Sequence, residues 1–553
     1  MKKFVLVLLF LSSFCSIKAQ TSKDVSLAPN KPRLVVGVVV DQMRYDYLTR
    51  FWNQFGDDGF KRLVGEGYIF KNHNYNYIPT FTAPGHSSIY TGTTPENHGI
   101  ISNNWYDKFN KKMIYCVQDD SVEPVGTDSP AGKMSPKRLL STTVTDENRL
   151  FTQLKGKSIG IALKDRSSIL PAGHAANAAY WFVGEDEGKF ITSSYYMNEL
   201  PKWVQDFNSS GKVKSYLKPW NTLKDINSYK ESGNDKNNFE GGFTGKKDAT
   251  FPYDLKELSK KNRGYDILKS TPYGNSITAD FAIAALDGED LGQDDITDIL
   301  AVSFSSTDYI GHNFGVNSKE IEDAYVRLDA DLARLLKALD EKVGKGNYTL
   351  FLTADHGGVE VPAYLETLNI PANYFDEASF EKDLSQKLKD KFGKEDLIES
   401  VSNNQIFFNY KNVEDAKINK VELQDFIASY VVQYPHVSKV FTRHMLESND
   451  YPTGMAELVQ NGFNERRSGD VVVVLDPATI VYSKTGSTHG TGFAYDTHVP
   501  LIFFGKGIKH GSTFAPSYVN DIAPTVSAIL GIQFPSADTG EPLLQVLETK
   551  ESE

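Results

Sequence analysis

The chain is 553 residues long, with 71 acidic against 59 basic side chains and a formal charge of −12. A balance this acidic excludes broad binding to nucleic-acid polymers, which needs a surplus of lysine and arginine, but not a small anionic ligand held at a metal. Of the two cysteines, Cys15 falls in the leader described next, so Cys116 stands alone and an internal disulfide is excluded.

Lys2 and Lys3, an apolar run from Phe4 to Phe14, and Ala19 before Gln20 spell a secretory leader over residues 1–19. Its apolar core is too short to span a bilayer and no later run is long enough, so an exported, periplasmic protein with no stable membrane span is expected. Phe14 before Cys15 fits a lipidation site poorly.

Beyond the leader, strand-like and helix-like segments alternate. RLVVGVVVD (33–41), KSIGIAL (157–163), AAYWFV (178–183), DILAVSFS (298–305), YTLFLTA (348–354), DVVVVLD (470–476) and VPLIFFG (499–505) are nearly continuous apolar runs. Such runs suit strands covered on both faces. Ile321, Tyr325, Leu328, Leu332, Leu335 and Leu339 recur at three- and four-residue steps and predict a helix over 318–342, its stripe packed in the core. VNDIAPTVSAILG (519–531) reads as a late helix ended by Gly531. Residues 205–270, rich in Asn, Lys, Gly, Ser and Asp, and residues 360–465, mixed short helices and weak strands, interrupt the rhythm as inserted segments. The pattern predicts one α/β domain over 20–553, with a mostly parallel central sheet flanked by helices on both faces. Cys116, in KKMIYCVQDD, reads as a half-buried strand residue.

The chemistry-bearing residues follow the strands. Asp41 closes the first run, Asp308 and His312 follow the 298–305 run, and Asp355-His356 follow the 348–354 run. That places them at the C-terminal edge of the sheet, where open α/β sheets bind ligands. Asp308 and His312, four apart, share a face if TDYIGH is helical. His489 lies in the glycine-rich KTGSTHGTGF. Alone, Asp41 reads as a strand-end cap. Together the six are enough for two three-ligand ions, and mixed carboxylate and imidazole donors suit Zn²⁺ or Mn²⁺ better than Ca²⁺ or Mg²⁺.

Thr82, in PTFTAPGHSS, reads as a helix N-cap by itself and as a nucleophile candidate beside such a metal cluster. His86 and His98 read as structural hydrogen-bonding residues. Asn103 offers an amide donor, with Asn104 beside it. Lys164 and Arg166 follow the 157–163 strand and present cations on one side of an extended segment, where Arg matches phosphoryl oxygens bidentately.

Taken together, VVVDQMR, PTFTAPGHSSIYTGTTPENHGII, NNWYD, ALKDR, STDYIGH, TADHGG and STHGTGF, in this order across residues 32–545, resemble the alkaline phosphatase superfamily. The nearest resemblance is to its threonine-nucleophile, phosphate-irrepressible (PafA-type) branch, a cousin of the nucleotide pyrophosphatase/phosphodiesterases. The resemblance implies Thr82 as the nucleophile, forming a transient phosphothreonine. It implies two zinc ions, one on Asp308, His312 and His489, the other on Asp41, Asp355 and His356 with Thr82 beside it. It further implies phosphoryl contacts from Asn103, Lys164 and Arg166, and a monomer acting on a broad range of small phosphate monoesters. Lys164 and Arg166 favour a dianionic monoester over a monoanionic diester. A phosphodiesterase is the alternative within the superfamily. A sulfatase would resemble Cys/Ser-x-Pro-x-Arg where this chain has Thr82-Ala-Pro-Gly-His. A silent phosphate- or zinc-binding protein is the non-enzymatic alternative.

Overall fold

The computed structural model describes residues 31–547. The expected leader, 1–19, lies outside them. A ten-stranded sheet forms the centre. Its strands include β1 (Leu34–Val40), β2 (Ser158–Ala162), β3 (Ala178–Val183), β4 (Asp298–Phe304), β5 (Tyr348–Thr353) and β6 (Leu501–Gly505). The middle runs β3-β2-β4-β1-β5, all parallel, and β6 joins β5 antiparallel. Short strands Tyr68–Phe70 and Gly511–Thr513 extend one edge, Lys189–Ser193 and Pro124–Val125 the other.

Alternation along β3 shows why its sequence is apolar throughout. Ala178, Tyr180 and Phe182 pack in the main core, where the Tyr180 ring meets Phe281 of a long helix, Pro272–Gly288, edge-on. Ala179, Trp181 and Val183 point the other way, into a second cluster with Ile169 and Leu170. Both faces are covered, as parallel strands require.

Register delivers the site. Val39 pairs with Ser303 and Thr353, and Ser303 with Ala162, so β1, β2, β4 and β5 end level. The residues that follow these strands emerge side by side: Asp41, Lys164, the helix carrying Asp308, and Asp355. The predicted 318–342 helix is observed as Lys319–Leu339, started by Ser318, whose Oγ accepts from Ile321 N at 3.1 Å. The late helix is Ile522–Leu530, closed by Gly531 at φ +57°.

DVVVVLD departs from the central-sheet reading of its neighbours. Val471–Leu475 belongs to a separate four-stranded antiparallel sheet, ordered (Ile398–Ser402)-(Gln405–Phe408)-(Val471–Leu475)-(Val437–Thr442). Val471, Val473 and Leu475 pack with Phe380, Leu384 and Ile427, whereas Val472 and Val474 pack with Phe441 and Leu446. This strand too is buried on both faces, which is why its sequence matches a central strand. The inserted lobe thus runs past residue 465. In the 205–270 segment, Trp220, Phe243 and Tyr253 are buried and surround Phe314. No helix among the described residues is long and apolar enough to cross a membrane.

Candidate active site

Asp41 leaves the end of β1 wholly buried. Its Oδ2 lies 2.7 Å from Lys164 Nζ and its Oδ1 3.5 Å from His356 Nε2. Neither oxygen has a well-angled hydrogen-bond donor, and the buried Oδ2 of Asp355 has none either. Asp308 and His312 sit on one helical turn of Ser306–Phe314, as their spacing predicts, with His312 Nε2 3.2 Å from Asp308 Oδ1. His489 Nε2 is 3.6 Å from the same oxygen. The Lys164 ammonium also contacts Asp308 Oδ2, so one cation draws two carboxylates together.

All three histidines are oriented alike. Nδ1 meets a backbone carbonyl in each: Ser487 O at 2.7 Å for His312, Gly357 O at 2.9 Å for His356, and Thr80 O at 2.7 Å for His489. With that proton donated to the backbone, the Nε2 atoms of His356 and His489 turn a lone pair toward the carboxylates, which is how proteins preset imidazoles for a metal, whereas Asp308 outweighs burial at His312 and raises its pKa. Burial holds His489 neutral, its pKa lowered to about 3, and pushes His356 well down too.

The carboxylates carry more negative charge than one ammonium can balance. Burial, then Asp355, push Asp41 far above the usual carboxylate range, and burial lifts Asp355 to about 7. Asp308 is held far below it, because His312 and Lys164 outweigh its burial. Dications would let all three ionise together. The donor set therefore fits metal ions: Asp308, His312 and His489 converge as one group, and Asp41, Asp308 and His356 as a second. The resemblance implied Asp355 in that second set. Its Oδ1 instead accepts from Gln42 N at 3.1 Å, and its Oδ2 lies 3.3 Å from His86 Nδ1 and 3.5 Å from His356 Nε2, so it borders the group.

Thr82 is the first residue of the helix Thr82–Thr91. Its Oγ1 lies 3.5 Å from both His356 Nε2 and Lys164 Nζ. The helix can approach because Gly85 lacks a Cβ; one would collide with the Asp355 carbonyl. His86 bonds Thr82 O and Ser303 Oγ, each at 2.9 Å, and His98 bonds Ser88 Oγ at 3.0 Å, the structural roles their sequence setting indicates.

Of the two adjacent asparagines, Asn103 is the one beside Thr82. Asn103 Oδ1 accepts from Ala83 N at 2.9 Å, next to Thr82, leaving its amide NH₂ to donate, whereas Asn104 is exposed. Arg166, near the start of the helix Asp165–Ala172, donates from Nη1 to Tyr115 Oη at 3.1 Å. Cys116, expected half-buried, is fully buried just past a strand, Lys112–Tyr115, beside Trp105 and Trp181.

Sequence reading missed several supports. Gln42, buried at φ +59°, braces Asp355 through its backbone N–H and Asp308 through Nε2 at 3.0 Å. Its side chain lies where a Cβ on Gly311 would stand, so the glycine of DYIGH makes room for it. Tyr309 presents its ring 5.1 Å from Lys164 Nζ. Asp496 Oδ2 accepts from Gly490 N at 3.1 Å and Thr491 N at 2.8 Å, fixing the loop that carries His489. The Asp closing STHGTGFAYD was a usable signal for the last; Gln42 and Tyr309 had none beyond adjacency to ligands. A cleft of about 340 Å³ opens beside the site, with Phe81, His489 and Thr491 on one wall and Asn403, Asn404 and Val473 of the lobe on the other.

A level parallel sheet edge bearing these ligands defines an alkaline-phosphatase-like α/β protein with a candidate metal centre. The chain belongs to the type I phosphodiesterase/nucleotide pyrophosphatase family, whose model matches residues 35–499. It is 46% identical to alkaline phosphatase PafA of Elizabethkingia meningoseptica, over 94% of this chain and 95% of that one. It is 47% identical to a Myroides odoratus protein named calcium-transporting ATPase, over 94% and 95%. The crystal structure of wild-type PafA superposes with a TM-score of 0.91 at 45% identity, covering 94% of this chain and all of that one.

Proposed function

We propose that this chain is a zinc-dependent phosphate monoesterase that works through a phosphothreonine at Thr82. The observation that carries this reading is the Thr82 hydroxyl, at a helix start and 3.5 Å from both the Lys164 ammonium and His356 Nε2. Full-length similarity to alkaline phosphatase PafA supports the same class.

Following the resemblance, Asp308, His312 and His489 would hold one zinc, and Asp41 and His356 the other, with Asp355 joining them from the border of that group. When bound, the pair supplies Lewis-acid stabilisation to the oxygens entering and leaving phosphorus. The chain's own groups do the rest. The helix N-terminus and the Lys164 ammonium favour the Thr82 alkoxide over the alcohol. Thr82 Oγ1 forms the bond to phosphorus as the ester oxygen leaves and takes up a proton. Water then cleaves the phosphothreonine, restoring the hydroxyl and releasing phosphate. Lys164, Arg166 and the Asn103 amide donate to non-bridging oxygens, and two cations there match a dianionic monoester.

A phosphodiesterase is the second reading, favoured by the family model itself. Acid-quenching the enzyme during monoester turnover should leave phosphate on the peptide containing Thr82. A phosphate-free peptide under turnover would contradict the mechanism. The basic and apolar pattern of residues 1–19 supports export to the periplasm; fractionation that leaves activity in the cytoplasm would contradict it.

A further inference from the structure

Arg166 and Asn103, on separate segments, are tied to one hairpin. Asn104–Asp107 pairs antiparallel with Lys112–Tyr115, and Asn104 sits directly across from Tyr115. Cys116 N donates to Asn103 O at 2.9 Å, closing the open end of the hairpin around both residues. From that end the Tyr115 phenol accepts from Arg166 Nη1 at 3.1 Å and donates to Asp165 Oδ1, which also accepts from Arg166 N at 2.6 Å. Burial keeps the phenol neutral, with its pKa pushed well up. Its single proton goes to Asp165, so an oxygen lone pair is free for the guanidinium. Arg166 Nε is buried without a hydrogen-bond partner among the described residues. Tyr115 is therefore the side chain that fixes the direction of the guanidinium.

The outer face of the hairpin rests on the inserted lobe. Asn403, at a lobe hairpin turn with φ +54°, donates from Nδ2 to Asn104 O at 2.8 Å. The Tyr106 ring meets Phe407 edge-on at 5.6 Å, Lys108 Nζ donates to Ser468 O at 2.9 Å, and the Arg467 guanidinium lies 5.3 Å from the Trp105 ring centre. These contacts join the lobe to the hairpin; the metal-facing histidines take their second bonds from Thr80, Gly357 and Ser487.

We propose that Tyr115 is a positioning residue for Arg166, and that the lobe, through Asn403, sets the hairpin carrying it, so that the lobe tunes the phosphoryl clamp and not the metal ligands. The inference rests on the role given to Arg166 above. It is tested by kcat/KM for an aryl phosphate and by inhibition by inorganic phosphate, on zinc-loaded protein, in Tyr115→Phe, Asn403→Ala, Arg166→Ala and the double variants with Arg166→Ala. Tyr115→Phe should lower kcat/KM roughly tenfold, the scale of one hydrogen bond to a charged group, and weaken phosphate inhibition in step. Asn403→Ala should lower it about threefold, as for a neutral hydrogen bond. Neither should change zinc content, and Tyr115→Phe should cost nothing further in kcat/KM once Arg166 is alanine.

Two results would overturn the inference while leaving the proposed function standing. One is a Tyr115→Phe loss of equal size with and without Arg166; the other is wild-type behaviour of Tyr115→Phe where Arg166→Ala is impaired. Full activity in Arg166→Ala would remove the role of Arg166 and the inference with it.

Discussion

Buried carboxylates in the central sheet and in the inserted lobe meet opposite fates. Asp470 opens the lobe strand Val471–Leu475 and is fully satisfied: Oδ2 accepts from Phe408 N at 2.9 Å, and Oδ1 takes Arg443 Nε at 3.2 Å and the Tyr410 hydroxyl. Asp41 closes β1 just as deeply, yet its one close cation, Lys164 at 2.7 Å, is shared with Asp308, and its Oδ1 has no donor. Glu240 shows a third outcome. Its Oε2 is also unpaired, but burial and the neighbouring Glu320 lift it to about 10, so a proton resolves the charge. A fold satisfies its structural carboxylates or neutralises them. At the sheet edge three carboxylates gather around one lysine, and Asp41 and Asp355 Oδ2 stay short of donors beside neutral imidazoles, a setting that suits a metal ion.

The sharpest way to break this contrast is at the nucleophile. Thr82→Ala should lose roughly four orders of magnitude in monoester turnover and keep its zinc by elemental analysis; comparable losses of both would make Thr82 a structural cap. Lys164→Ala or Arg166→Ala should cost about a hundredfold or more on monoesters and much less on diesters. Equal losses would remove the argument for substrate class.

Asp470→Asn and Asp41→Asn should then separate the two kinds of carboxylate. Breaking the buried Asp470–Arg443 pair should cost about 3 kcal/mol of stability, read as a lower Tm, with turnover per folded zinc-loaded molecule retained. Asp41→Asn should do the reverse: zinc content falls, and the metal-free protein loses little stability, because Lys164 keeps Asp308 and one of three crowded acids has been removed.

The last contrast concerns pH. A carboxyl whose folded pKa is raised from 4.5 to about 10 contributes stability that is present below pH 4.5 and lost as pH rises toward 10. Glu240→Gln should make the fall in Tm between pH 5 and pH 10 shallower; an unchanged slope would mean Glu240 is already ionised.

Much of this was legible before any coordinates. Apolar runs placed β1 to β6, and the candidate ligands trailing those runs meet at one edge, because level parallel strands bring their C-terminal ends together. The same signal misled at DVVVVLD, since burial on both faces leaves one pattern whether the sheet is parallel or antiparallel. Tyr115 and Gln42 were illegible for a different reason. Their roles come from contacts between segments distant in sequence, and a lone Tyr or Gln carries no spacing to betray them.

One measurement bears on the central claim most directly: kcat/KM for an aryl phosphate monoester and the matching diester on zinc-loaded protein, with a chelator-treated control. The account predicts a strong monoester preference that disappears with chelator and returns with zinc. A diester preference would contradict it and make this chain a phosphodiesterase in which Lys164 and Arg166 do not recognise a dianion.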